Sequence, residues 1–429
     1  VSQPGPGPLG IEPETFFWAT GIEDTFITAP WPATGRTLDE YELTGHYDRW
    51  REDLDLMASL GVRAARYGIP WHRIQPAPDR WDWTWPDQTL NRLLELGINP
   101  IVDLVHYGLP AWLEGAYLNP EFPERMAEFA RRVAERYRGC IRWYTPLNEP
   151  RITAWYCGKL GWWPPYRRGW RGFVAVMLAI ARGIVRTSQA LREVDPEMVL
   201  VHVDATDRYT SPDPTLAGEV KLRQEIGFLA LDLATGRMSS AHPLHGWLLR
   251  HGASSADLAW FEAASIQPDL IGLNMYPMFS GKRLVRSPRG LRTQMPYAAP
   301  AIVEQIAELY WERYGLPMMI SETAARGSHA RRHAWLVGSV EAIARLRSRG
   351  IPLVGYTWWP MFALVAWAYR QSDRPVRDYL EQMGLWDLEP EPDGGLRRVH
   401  TPLVDAYRAL TARGCSAVGR LERGVPAHG

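Results

Sequence analysis

Lysine is nearly missing from this chain: the 48 basic residues are all arginine except Lys159, Lys221 and Lys282. They are matched by 48 acidic residues, so the formal net charge is zero. A balanced charge without an arginine-lysine stripe argues against a polyanion-binding surface, and so against nucleic acid as a partner. Cysteine is scarce too. Cys140, Cys157 and Cys415 are odd in number and show no metal-ligand spacing. They read as reduced thiols, which sets the expectation of a cytoplasmic protein. No run of 18 apolar residues occurs, so no membrane span is expected. Residues 1–8 lack the basic and apolar parts of a secretion signal and read as a flexible lead-in. No ligand cluster or cofactor motif stands out, and neither a metal nor an organic cofactor is expected.

What is present is material for one large core: 429 residues, 46% of them hydrophobic. Short apolar runs at residues 16–20, 62–67, 100–106, 141–147, 198–203, 270–275, 318–321 and 351–358 alternate with longer amphipathic stretches. Those stretches lie near residues 46–60, 86–96, 123–137, 173–194, 219–233, 301–314, 330–349 and 402–412. The first shows the logic, with Trp50, Leu54, Met57 and Ala58 on one face and Gly61 to end it. Strands alternating with helices imply parallel strands joined by crossovers. Eight such units in series predict an α/β fold of the (β/α)8 TIM-barrel type. The expected layout is a lead-in over residues 1–14, a single barrel domain over 15–415 and a tail over 416–429. The loops at residues 23–45, 151–171, 277–297 and 360–398 are long enough to wall a pocket.

In a barrel the site is built by the loops that follow the strands. Unusual polar residues gather there: Arg66, His106, Asn148 with Glu149, Asp204, Asn274 with Tyr276, Glu322, and then Trp359. Glu149 closes the β-rich run at residues 140–146, and Glu322 closes the run at 316–321. Two carboxyls at the ends of two buried strands point to paired acid chemistry on a sugar. The abundance of tryptophan, 21 residues, suits stacking on sugar faces as well as it suits a core.

These residues resemble the family 1 glycoside hydrolases, the β-glucosidase group, from Phe16 to about Tyr407. Thr145-Pro146-Leu147-Asn148-Glu149-Pro150 resembles the family's acid/base motif, and Ile320-Ser321-Glu322-Thr323 its nucleophile motif. The segments beginning at Arg66, His106, Leu273 and Gly355 resemble four further strand-end motifs. The resemblance implies Glu322 as nucleophile and Glu149 as acid, then base. It implies Arg66 beside the nucleophile, Tyr276 orienting it, Asn148 on the sugar's 2-hydroxyl, His106 on the 3-hydroxyl, Asn274 in the sixth-strand motif and Trp359 under the sugar face. Trp359-Pro360 is a candidate cis bond. The substrate implied is a small-molecule or oligosaccharide β-glycoside.

The departures fall at the end that reads the far side of the sugar. Where the family carries a glutamine in the first loop, this chain has Gly21-Ile22-Glu23-Asp24-Thr25, with an acid in place of the amide. In the eighth loop Trp367 is kept, but Ala366 stands where the family has a hydroxyl-binding glutamate. Glu23 and Asp24 therefore read as substrate-binding acids, or else as acids that face solvent or cap a turn. Trp162 and Trp163 read as lining an outer subsite or covering the barrel top. The leading function is a retaining, exo-acting β-glycosidase. The same mechanism on a non-standard glycone, or transglycosylation, is the second reading. A non-catalytic sugar-binding barrel is the third.

Overall fold

Eight parallel strands close into a barrel in strict chain order. They are β1 (Phe17–Gly21), β2 (Ala64–Gly68), β3 (Asn99–Asp103), β4 (Trp143–Thr145), β5 (Val199–Ala205), β6 (Leu270–Asn274), β7 (Met318–Thr323) and β8 (Leu353–Trp358). The ring shuts where β1 pairs with both β8 and β2. The helices that follow are α1 (His46–Ala58), α2 (Thr84–Glu95), α3 (Phe122–Arg136), α4 (Gly169–Val194), α5 (Ala217–Ala234), α6 (Ala301–Tyr314), α7 (His329–Ser348) and α8 (Pro402–Arg413). This computed structural model describes residues 7, 9–288, 290–392 and 394–419. Most of the expected lead-in at residues 1–8, and the expected tail from residue 420 on, lie outside the described residues.

The two-residue period of a strand sorts its side chains between two cores. Phe17, Ala19, Ala64, Ile101, Trp143, Val201, Val203, Leu270, Met319 and Val354 pack inside the barrel. Further along the same inward rows stand Arg66, Asp103, Thr145 and Asn274, at the C-terminal ends of their strands. One row thus carries an apolar plug low in the barrel and a polar layer at its mouth. The other row packs outward under the helices. Along α3, Phe122, Met126, Phe129, Ala130 and Val133 are buried on one stripe. Each large side chain of that kind contributes about 1.5–3 kcal/mol by leaving water.

α4 is apolar and long enough to cross a membrane by length and composition, but 72% of its most apolar window is buried in the protein. It is a core helix of the barrel wall, and Arg182 and Arg186 interrupt its apolar stretch, so no 18-residue apolar run shows in the sequence.

The long loops hold more structure than sequence periodicity shows. Phe26–Ile27 pairs with Leu38–Asp39 after β1. After β4 come the short helix Pro150–Ala154 and a wide helical turn at Trp155–Leu160. Gly281–Ser287 and Gly290–Gln294 form a hairpin that adds to Arg208–Thr210. Two helices unannounced by periodicity, His245–Arg250 and Ser255–Ala263, lie between α5 and β6. The second had a local signal: Ser254 and Asp257 form a reciprocal capping box.

Candidate active site

Glu149 follows β4 and is pinned by its neighbours. The Asn148 N–H donates to the Val105 carbonyl at 2.9 Å, and the Glu149 N–H donates to the Val203 carbonyl at 3.1 Å. The segment is thereby wedged between the chain leaving β3 and strand β5. Glu149 adopts a left-handed backbone with φ +47°, and Tyr107 does so with φ +68°. Non-glycine residues take this conformation at a cost of about 1–3 kcal/mol each, and such strain gathers at functional sites. The two strained residues touch: the Tyr107 hydroxyl donates to Glu149 Oε2 at 2.5 Å. Asn274 Nδ2 donates to Glu149 Oε1 at 3.0 Å. Neither partner carries charge, and the carboxyl is buried. Burial first, and the nearby Glu322 charge second, push Glu149 up to about 7. It is an acid that keeps its proton near neutrality.

Glu322, near the end of β7, sits in a different field. Arg66 Nη1 makes a close ion pair with its Oε1, and the Tyr276 hydroxyl donates to Oε2 at 2.7 Å. Arg66 is fully buried, so its charge needs full compensation. Asp103 supplies it, accepting from Arg66 Nη2 at 2.5 Å. Burial works against the guanidinium's charge, but Asp103 and Glu322 outweigh it and raise its proton affinity. Motif reasoning predicts that Arg66 holds Glu322 in its charged form. Arg66 does favour the charged form, but burial outweighs it and raises Glu322 above the usual glutamate value.

The two glutamates share one hydrogen-bond network. Asn148 Oδ1 accepts from Arg66 Nη2 at 2.7 Å and from Asn274 Nδ2 at 3.1 Å. Asn148 Nδ2 faces His106 Nε2 at 2.8 Å and donates to the Tyr107 hydroxyl at 3.2 Å. Both acceptor positions of this amide and one of its two N–H groups are therefore filled by protein, and the other N–H faces His106. Asn274 is oriented in turn by the Ser321 hydroxyl, which donates to its Oδ1 at 2.7 Å. Any sugar hydroxyl held by Asn148 must take the place of one of these partners.

The far end is rebuilt with acids. Asp24 is wholly buried and Glu23 is 7% exposed, so neither faces solvent. Asp24 Oδ1 lies 2.5 Å from His106 Nδ1. Burial opposes charge on the ring, but Asp24 and Asp103 overcome it and raise His106 well above the usual histidine value. A Cβ at Gly68 would come within 1.8 Å of Asp24 Oδ2, so Asp24 fits only because residue 68 is glycine. Glu23 does cap a turn, accepting from the Thr25 N–H at 3.2 Å and the Thr25 hydroxyl at 2.6 Å. Its other oxygen accepts from Trp359 Nε1 at 3.1 Å. Burial raises both acids.

Trp359 stacks on His106 with centroids 5.9 Å apart and lies under Arg66 at 5.0 Å. Its bond to Pro360 is cis. A Cβ at Gly21 would come 2.1 Å from its ring, so the indole packs where it does only because residue 21 is glycine. Trp367 packs at the mouth against Tyr107 (5.6 Å) and Trp163 (5.1 Å). Trp163 is buried in this aromatic wall, while Trp162 is 44% exposed.

One expected strand-end residue is not brought in. Asp204 turns outward, where the Tyr310 hydroxyl of α6 donates to it at 3.4 Å. Two residues that motif reasoning does not single out belong to the site, Asp103 and Tyr107. Asp103 had a signal, as the lone acid in the apolar run 101–105, because a buried charge demands a partner. Among the described residues two groups bring candidate metal ligands together: Glu23, Asp24 and His106, and Glu225, Asp232 and His242. In the first, the His106 Nδ1 contact occupies Asp24. In the second, Arg313 Nη2 already sits 2.6 Å from Asp232 and 3.1 Å from Glu225.

A family model described as glycosyl hydrolase family 1 matches residues 19–328. A bifunctional β-D-glucosidase/β-D-fucosidase from Bifidobacterium breve is 34% identical over 170 residues, covering 34% of this chain and 37% of that protein. β-Glucosidase A of Thermotoga maritima is 34% identical over 115 residues, 25% of this chain and 26% of the relative. The chain thus spans well under two thirds of these two relatives. Thermostable β-glucosidase B from Thermobispora bispora aligns far more broadly, 25% identical over 90% of this chain and 91% of the relative. The solved structure of a β-glucosidase from Thermotoga maritima in complex with glucoimidazole superposes with a TM-score of 0.79 at 20% identity, covering 94% of this chain and 98% of that one. At that identity the likeness shows the fold.

Proposed function

The chain belongs to glycosyl hydrolase family 1, and from that premise we propose that it is a retaining, exo-acting β-glycosidase. Glu322 is the nucleophile, and Glu149 is the acid and then the base. The observation that carries this reading is the unequal setting of the two glutamates. One is held by Arg66 and Tyr276; the other has only neutral partners and a proton affinity near 7. Two carboxyls with such different environments divide naturally into nucleophile and acid.

In the first step the Glu322 carboxylate attacks the anomeric carbon and forms a glycosyl ester. The bond to the leaving oxygen breaks, and that oxygen takes the Glu149 proton. The Glu322 charge is then gone, which lowers the proton affinity of Glu149 and lets it act as a base. Water loses a proton to Glu149 and attacks the same carbon, the ester bond breaks, and Glu322 returns as a carboxylate. Two inversions give net retention. Tyr276 shares its hydroxyl proton with Glu322 and steers the attacking oxygen. Trp359, buried under the site, supports a closed pocket that takes a chain end. Glu23, Asp24 and Ala366 favour a glycone whose far side differs from that of glucose.

Trapping tests the assignment. A panel of 2,4-dinitrophenyl 2-deoxy-2-fluoro-β-D-glycosides should inactivate the enzyme and add one sugar mass to the peptide holding Glu322. Labelling of another residue would refute it. The pH profile gives a second check. Since Glu149 must enter the first step protonated, kcat/KM should fall about tenfold per unit above pH about 7, with a separate acid limb where Glu322 takes up a proton. An alkaline limb near the ordinary glutamate value of 4.5 would show that Glu149 is not the acid.

A further inference from the structure

We propose that Glu40 is a specificity-determining residue, whose carboxyl reads the glycone hydroxyls farthest from the cleaved bond, beside the position left bare by Ala366. This rests on the glycosidase reading above. Glu40 follows the Leu38–Asp39 strand and opens the short helix Glu40–Leu43, in the loop after β1. Its side chain crosses to the loop after β8, where Oε2 accepts from the Val365 N–H at 3.0 Å. The residue is fully buried. Its other oxygen, Oε1, is buried and meets no hydrogen-bond partner among the described residues.

A buried carboxyl oxygen without a partner is costly and calls for an explanation. An ion pair is not the explanation, since the charged groups that act on Glu40 are the acids Glu23, Asp39 and Glu381. Glu23 leads into the site, because its Oε2 accepts from Trp359 Nε1. Burial, reinforced by the charge of Glu23, raises Glu40 well above the usual glutamate value. With Oε2 accepting from Val365, Oε1 is left as the carboxyl oxygen that faces no partner. A sugar hydroxyl, donor and acceptor at once, supplies that partner. The neighbouring methyl of Ala366 cannot.

The rival explanation is a strut that merely holds residues 364–366 through the Val365 contact. Glu40→Gln keeps that contact and the side-chain shape but puts an amide nitrogen where the unpartnered oxygen stands. Glu40→Ala removes both. The probes are 4-nitrophenyl β-D-galactoside and β-D-glucoside, each against its 4-deoxy and 6-deoxy counterparts. Glu40→Ala should cost about 10- to 100-fold in kcat/KM on a parent sugar, and under about 3-fold on the deoxy sugar that lacks the contacted hydroxyl. Glu40→Gln should shift the same selectivity while melting close to the unmodified protein. Adding Ala366→Glu to Glu40→Ala should restore preference for the parent. Equal losses on parent and deoxy sugars, or no loss, would overturn the proposal. If the unmodified protein hydrolyses none of the probes, the glycosidase reading fails by itself. Calorimetry with deoxynojirimycin against its 6-deoxy form then decides Glu40: a difference in affinity that Glu40→Ala abolishes supports the role, and the absence of any such change overturns it.

Discussion

Glu322→Ala should reduce kcat on an accepted aryl β-glycoside by about 10⁵- to 10⁶-fold, the scale on which removal of a covalent nucleophile acts. No neighbour can replace it. Arg66 and Tyr276 are donors, and Glu149 is committed to Tyr107 and Asn274. The substitution also leaves a cavity beside the Arg66 guanidinium, which has lost one of its two carboxylate partners. A small anion is drawn there. Azide or formate should therefore restore part of the turnover of a dinitrophenyl glycoside. Attack from the face once occupied by Glu322 gives a single displacement, so the rescued azide product should be the α-glycosyl azide, inverted relative to substrate. A β-glycosyl azide from this variant, or undiminished turnover, would remove Glu322 from the role. The fold should survive, although Arg66 then keeps Asp103 as its only carboxylate in direct ion-pair contact.

Glu149→Ala gives the second largest loss and a different signature. Positioned acid–base groups contribute about 10²- to 10⁴-fold, which is about 3–5 kcal/mol of barrier. The loss should depend on the leaving group. An alkyl glycoside needs the proton and should lose the full factor. A dinitrophenyl glycoside leaves without help, so its first step should be nearly unchanged while hydrolysis of the glycosyl ester slows. The intermediate should then accumulate as a burst of phenolate. Azide entering the emptied Glu149 site attacks from the face opposite to Glu322, and the product should be the β-glycosyl azide. Opposite azide anomers from the two alanine variants would assign the two faces of the sugar to the two residues. The same loss on good and poor leaving groups would mean that Glu149 positions substrate instead of moving protons.

The eight-unit rhythm was legible because both cores obey short-range rules. Strand and helix periodicities follow from local geometry, so the barrel and its order could be read along the chain. Glu149, Glu322, Arg66 and Tyr276 were legible for a related reason: each stands at or just beyond the end of an apolar run, where a charged or polar group is conspicuous. Asp103 was half visible, as an acid inside such a run. Tyr107 was not, since nothing local distinguishes an aromatic residue that packs from one that also donates to Glu149. Glu40 was invisible among ordinary loop acids, because its burial depends on Val365, 325 positions away in the chain.

The chain alone thus determined the architecture and the pair of acids at its mouth, both consequences of hydrophobic pattern and of charge placed where the pattern stops. Tertiary structure decided what no pattern encodes: which acid keeps its proton, which amides are already spent on protein partners, and which loop acids turn inward. Proton affinity is set by burial and by charges that arrive from other strands. Arg66 pulls Glu322 toward its charged form, as a neighbouring cation must, but the burial that the assembled barrel imposes outweighs that pull and leaves Glu322 raised.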